Sequence, residues 1–204
     1  MAPRHAGAAL ALQYNSSMPV IDTHAAMLTV HPSQSNPAVS RIEVQVRVGN
    51  SGMVSFRYSL EADMAHVRMP PAGTGARADG LWRHTCFEAF VAPAGEAAYH
   101  EFNFSPSLDW AVYRFNAYRE GMSPLKAARA PEISLKRLDQ GLELRASVFV
   151  GDMADLRGAA PLRIALAAVI EDENGRLSYW GLRHPPGKPD FHHPDGFALE
   201  VTRS

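Results

Sequence analysis

In the first third of the chain Arg41 to Val48 (RIEVQVRV) alternates apolar and polar residues strictly, and Met53 to Leu60 (MVSFRYSL) follows it across a Gly-Asn-Ser-Gly link. A period of two is that of a strand with one buried face, and a short glycine-bearing link is that of a hairpin. The pattern recurs down the chain. His84–Val91, Tyr99–Pro106 and Asp109–Tyr118 read as a three-stranded meander, and Ile133–Leu138 and Leu142–Val150 flank Asp-Gln-Gly as a second clear hairpin. Leu177–Leu182 and Phe197–Val201 follow. Leu162–Glu171 carries the Leu and Ala of a helix, but its length and flanks favour a buried strand, and one helical turn is expected after Asp152. About ten short strands with no amphipathic helix of useful length predict an all-β chain, an antiparallel β-sandwich of jelly-roll or immunoglobulin-like type.

A chain of 204 residues can bury a substantial core as one domain. That domain is expected over residues 25–204, behind a flexible N-terminal segment of residues 1–24. The apolar stretch Ala6–Leu12 is too short for a secretory signal and no clear cleavage site follows it. Together with a single cysteine, Cys86, which can form no internal disulfide, this predicts a cytoplasmic protein. A formal net charge of -1 argues against nucleic acid as a partner, and no apolar run approaches the roughly 18 residues of a membrane helix.

The informative stretch is DGLWRHTCFEAFV, Asp79 to Val91, where Trp82, Arg83, His84 and Glu88 crowd into a strand that valine and threonine could have filled. Strand alternation puts His84, Cys86, Glu88 and Phe90 on one face, Tyr99, Glu101, Asn103 and Ser105 on one face of the next strand, and Arg114 on one face of the third. If Val91 pairs with Ala98 and Ser105 with Trp110, then Glu88, Glu101 and Arg114 form a row. Two carboxylates directly across a ladder persist only with a cation, a raised pKa or a hydrogen-bonding ligand beside them. One reading of that row is a solvated face with a surface ion pair. The other is a platform for hydroxyl-rich ligands, since carboxylates accept from hydroxyls and guanidinium donates to them. Trp82 and Trp180, both beside loops, fit either the core or the aromatic walls of such a site, whereas Trp110 reads as core.

LWRHTCFEAFV, YHEFNFSPSLDWAVYRF and the distant YWGLRHPPGKPDFHHPDGFALEV resemble bacterial DOMON-like proteins similar to family 9 carbohydrate-binding modules. The resemblance covers residues 25 to 203. It implies a sandwich in which two tryptophans, falling on Trp82 and Trp180, enclose a sugar, with the family's glutamate falling on Glu88. The family's arginine has no counterpart in Tyr99–Pro106, where Glu101 stands instead, and Arg114 is the substitute the expected register offers. Haem, bound by part of the wider family, finds no ligand motif here. Calcium stays open at Asp172-Glu173-Asn174, where a plain Asn-Gly turn is the simpler reading.

Other chemistry has weaker support. His184, His192 and His193 share a Pro-rich loop, but their spacing fits no standard zinc pattern. Glu88 and Glu101, if they faced each other, could approach the roughly 5 Å of a retaining glycosidase. The sequence-based expectation is therefore a non-catalytic protein without cofactor, binding a small carbohydrate or polyol between Trp82 and Trp180 over Glu88 and Arg114. Glu101, Asn103 and His84 are further contacts. The alternatives are a scaffold domain that has lost its ligand, or a glycoside hydrolase.

Overall fold

The computed structural model of the protein describes residues 22–49, 51–125, 129–159 and 161–202. Most of the expected N-terminal segment lies outside the described residues, but the first strand already begins at Asp22, three positions ahead of the expected boundary. The strands are β1 (Asp22–Val30), β2 (Val39–Val48), β3 (Met53–Ala62), β4 (Cys86–Pro93), β5 (Tyr99–Phe104), β6 (Trp110–Phe115), β7 (Ser123–Pro124), β8 (Glu132–Leu138), β9 (Gly141–Phe149), β10 (Leu162–Glu171), β11 (Leu177–Gly181) and β12 (Leu199–Val201). The helical turn expected after Asp152 is led in by a 3₁₀ turn over Val150–Asp152 and closed by the Arg157 amide, which donates to the Met153 carbonyl at 2.8 Å.

Every pairing between these strands is antiparallel, in the order β7-β6-β5-β4-β10-β11-β1-β2-β3-β9-β8, with β12 on the free end of β10. The path folds back on itself at β1. Its residues Asp22–Leu28 pair with β2, and Thr29 and Val30 pair with β11, so one strand serves two sheets. The β1-β2-β3-β9-β8 sheet then faces the β7-β6-β5-β4-β10-β11 sheet as a β-sandwich. Phe56 meets Phe104 at 5.9 Å and Tyr58 meets Phe87 at 5.0 Å across the interior. The Tyr58 hydroxyl, fully buried, donates to the Glu88 carbonyl at 2.7 Å and so fastens the middle of one sheet to the other.

β10 is a strand because it lies between β4 and β11 and is covered on both faces, which overrides the helical content of its residues. Ile164, Leu166, Ala168 and Ile170 enter the main core, while Ala165 and Ala167 join a second cluster on the outer side with Phe90, Tyr99, Tyr113 and Phe115. That outer cluster explains why all of β4 and β5 is buried.

Registers decide which polar residues meet. In the β4–β5 hairpin Glu88 stands opposite Asn103 and Phe90 opposite Glu101, two residues from the expected pairing. In the β5–β6 hairpin His100 stands opposite Arg114 and Glu101 opposite Tyr113, one residue from it. The second difference comes from the turn. Ser105 N–H donates to Asp109 and Leu108 N–H to Ser105, closing a loop in which Leu108 takes φ 74. That left-handed position is ordinarily given to glycine. A one-residue slip turns a strand over, so Arg114 leaves the expected row.

Candidate functional site

The outer cluster opens at one point into a cleft of about 430 Å³ over β4, β5 and β10, with Glu88, Glu101 and Val169 at its floor. One wall is Trp82, carried by the 3₁₀ turn Leu81–Arg83 that follows Gly80 (φ 76). Its indole stands edge-on to Tyr113, centroids 5.8 Å apart. The Gly-rich loop before it is strapped down: Asp109 accepts from the amides of Thr74 (3.2 Å) and Ala76 (3.1 Å), Tyr113 donates to Asp79, and the Arg77 guanidinium lies 5.6 Å from the Tyr113 ring centroid. The loop thus holds the indole in place before any ligand arrives.

The other wall is Tyr179 of β11, backed edge-on by Phe191 at 5.9 Å. Arg119 and Met122, from the β6–β7 connection, complete the rim, and His192 closes the side. Arg119, at φ 56, donates through Nε (3.2 Å) and Nη2 (2.7 Å) to Asp190 Oδ1. Burial alone would raise Asp190, but hydrogen bonds from Arg119, Tyr118 and the His192 amide hold its carboxyl below the usual range. The Pro-rich loop and the β6–β7 connection are therefore joined through one carboxylate.

Burial, and after it the charge of Glu101, pushes the Glu88 carboxyl well above the usual carboxylate range and so favours its protonated form. Its Oε1 is buried and has no hydrogen-bond partner among the described residues. Glu101 is raised by burial as well, against the opposing hydrogen bond from Asn103 Nδ2 (2.7 Å) and the charge of Arg119. His192 is pushed down to about 4, by burial first and then by Arg119, and is neutral at physiological pH. The Tyr99 hydroxyl accepts from the Arg119 amide at 3.2 Å and lies 2.8 Å from His192 Nδ1. His192 Nε2, the other ring nitrogen, lies 3.8 Å from Glu101 Oε2. At that distance between a neutral ring and a carboxylate there is no ion pair, only two polar groups facing the same space.

These shifts have opposite effects on stability. A carboxyl whose folded-state pKa is raised costs stability as pH climbs above its ordinary 4.5, whereas the lowered His192 costs stability as pH falls from 6.5 towards about 4. Glu88→Gln removes the first cost and keeps a similar shape. We expect its urea midpoint to gain progressively on that of wild type as pH climbs above 4.5; parallel profiles would mean that the Glu88 carboxyl is not raised.

Of the residues expected from sequence, Trp82, Glu88 and Glu101 meet at this cleft. Trp180 does not. It is 7% exposed, points into the main core and donates through Nε1 to Ser178 Oγ at 3.1 Å, so no pair of tryptophans encloses the cleft. Its neighbour Tyr179 has the outward phase. Arg114 faces the other side of its strand, where it donates to Asp155 Oδ2 at 2.9 Å beside His100. Asn103 is fully buried beside Glu101 on the same face of β5 and donates to it. His84 bonds Glu171 Oε2 at 2.7 Å, away from the cleft lining. Tyr179, Phe191, Arg119 and His192 are contacts that the sequence pattern does not mark. The three loop histidines diverge: His184 bonds the Thr29 carbonyl, His192 turns into the cleft, and His193 accepts from the Asp195 amide. Asp172 accepts from the amides of Asn174 and Arg176, which makes the Asp-Glu-Asn stretch a hairpin turn.

No family model and no curated protein matches the chain. Among solved structures, a candidate carbohydrate-binding protein from Bacteroides uniformis superposes with a TM-score of 0.64 at 15% identity, over 89% of this chain and 86% of that one. A family 9 carbohydrate-binding module from Caldicellulosiruptor kristjanssonii, solved in complex with glucose, gives 0.50 at 12% identity, over 91% of both chains. The chain shares their fold. Within this β-sandwich the cleft belongs to the outer side of one sheet, walled by loops before β4, after β6 and after β11.

Proposed function

We propose that the protein binds a small carbohydrate or related polyol, without transforming it, in the cleft between Trp82 and the Tyr179–Phe191 pair. The observation that carries this reading is Glu88 Oε1, buried and unpartnered among the described residues, at the floor of an aromatic-walled cleft. An unmet polar atom costs free energy, which a ligand hydroxyl would recover if the carboxyl, which lines the cleft, turned towards it. An indole and a phenol stack on the apolar faces of a pyranose, while Glu101, Arg119 and the neutral His192 ring offer hydrogen-bonding groups to its edge. The glucose-bound module of the same fold adds support from analogy of architecture.

Hydrolysis is the weaker reading. Glu88 faces Asn103 and is diagonal to Glu101, so the direct opposition that would bring two carboxyls into the spacing of a retaining glycosidase is missing. Calorimetric titration with a panel of neutral mono- and disaccharides tests the proposal, alongside chromogenic glycosides as substrates. Binding by wild type with no turnover supports it. Silence across the panel would assign the domain to a scaffold role, and turnover lost in Glu88→Gln would make it a hydrolase.

A further inference from the structure

On the opposite side of the sandwich the outer face of β2, β3 and β9 is hollowed to about 700 Å³ beside Gly49, Ser51 and Met53, well away from the cleft. The register sets Arg57 directly between Gln45 and Arg145, and sets Ser55 between Arg47 and Ser147 one pleat further on. Two guanidinium groups opposed across a ladder repel each other. Glu143 offsets part of this, with Oε1 2.8 Å from Arg145 Nε and Oε2 3.6 Å from Arg57 Nη1. Arg47 has no acceptor among the described residues, so of the three guanidiniums that line the hollow Glu143 meets only two, while Glu43 on the same face is engaged by Arg41 and Gln45. Arg57 Nε is shut off from water and unpartnered among the described residues, a donor that would be met if a bound anion drew the guanidinium outward. Ser55 Oγ and Ser147 Oγ lie 2.9 Å apart on the same face and, with Gln45, supply neutral donors and acceptors.

We propose that this hollow is a second binding site, for a small hydroxylated anion: a sugar acid or a sugar phosphate. Guanidinium forks match the oxygens of carboxylate and phosphate in pairs, whereas a neutral sugar would leave their charge uncompensated. Hydroxyl and amide side chains beside them suit the ligand's own hydroxyls. The volume is that of a small-molecule site, and the arginines sit in a concavity, unlike the extended basic stripe that a nucleic acid needs. The inference is independent of the cleft's function.

The test is titration of the whole chain, by calorimetry and by amide chemical shifts, with glucuronate, glucose 6-phosphate, glucose and inorganic phosphate in low salt. The expected result is affinity for glucuronate or glucose 6-phosphate at least about tenfold above that for glucose at this face, falling steeply with added salt. Which of the two binds more tightly distinguishes a carboxylate ligand from a phosphate one, and competition by inorganic phosphate is expected if the charge is the main recognition element. Arg57→Gln and Arg145→Gln should each weaken anion binding severalfold, and Trp82→Ala should leave it unchanged. Arg47→Gln, which removes a charge with no described partner, gives the same readout should the paired arginines prove necessary for folding. The proposal is overturned if neither anion binds more tightly than glucose, or if the anions bind but respond to Trp82→Ala and not to the arginine variants. Neutral-sugar binding at the cleft, read in the same arginine variants, reports separately on the function proposed for that site.

Discussion

Trp82→Ala is expected to weaken neutral-sugar binding at the cleft by about 2 kcal/mol or more, roughly thirtyfold, while shifting the denaturation midpoint little. The asymmetry follows from where the ring sits. Trp82 is half-buried on a loop and leans edge-on against Tyr113, outside the main core. The segment that carries it is held by Asp109 and Asp79 through bonds that do not involve the indole. Deleting the ring therefore removes a wall and leaves the scaffold. Calorimetry on wild type and variant with the same saccharide checks this, since fluorescence would lose its reporter. Equal affinities would remove Trp82 from the site and, with it, the aromatic stacking on which the proposed function depends.

The second large effect has the opposite character. Trp180→Ala should destabilise the fold by about 3–5 kcal/mol, a large part of the total for an ordinary domain, and leave the affinity of whatever remains folded nearly unchanged. Trp180 aligns with Ala168, and through it with Phe87, on the inward face of three adjacent strands, and it packs in the main cluster. Its removal opens a cavity between the sheets and leaves Ser178 without the indole donor. Urea denaturation of wild type, Trp180→Phe and Trp180→Ala should rank them in that order. If alanine proved nearly neutral in stability but abolished sugar binding, the indole would belong to the ligand site after all.

The contrast between these two residues shows how far the sequence alone can reach. Period-two alternation survives folding, so β2, β3, β8 and β9 and their two hairpins are readable, and so is β10 once its length is weighed above its composition. Trp82 and Glu88 are readable because a tryptophan after a Gly-rich loop and a glutamate in an otherwise apolar strand both stand out. Phase is less accessible. Tyr179 and Trp180 are adjacent, both aromatic, and which one faces outward depends on the pairing of β11 with β10. Arg114 falls one residue out of its expected place because the β5–β6 turn puts Leu108, and no glycine, in the left-handed position. Arg119 and His192 belong to connections far apart in the chain. What joins them is Asp190, a loop carboxylate 71 residues beyond Arg119 that also accepts from the His192 amide, and no local pattern marks it.

The ends of the sheet path carry a consequence of their own. β7 is two residues long and closes on Pro124, while β8 alternates in exposure and carries Glu132, Lys136 and Arg137 along its length. Neither offers a long apolar rim with free amides onto which a foreign strand could add. The two outermost strands of the path therefore carry a proline and charged side chains where a foreign strand would have to pair.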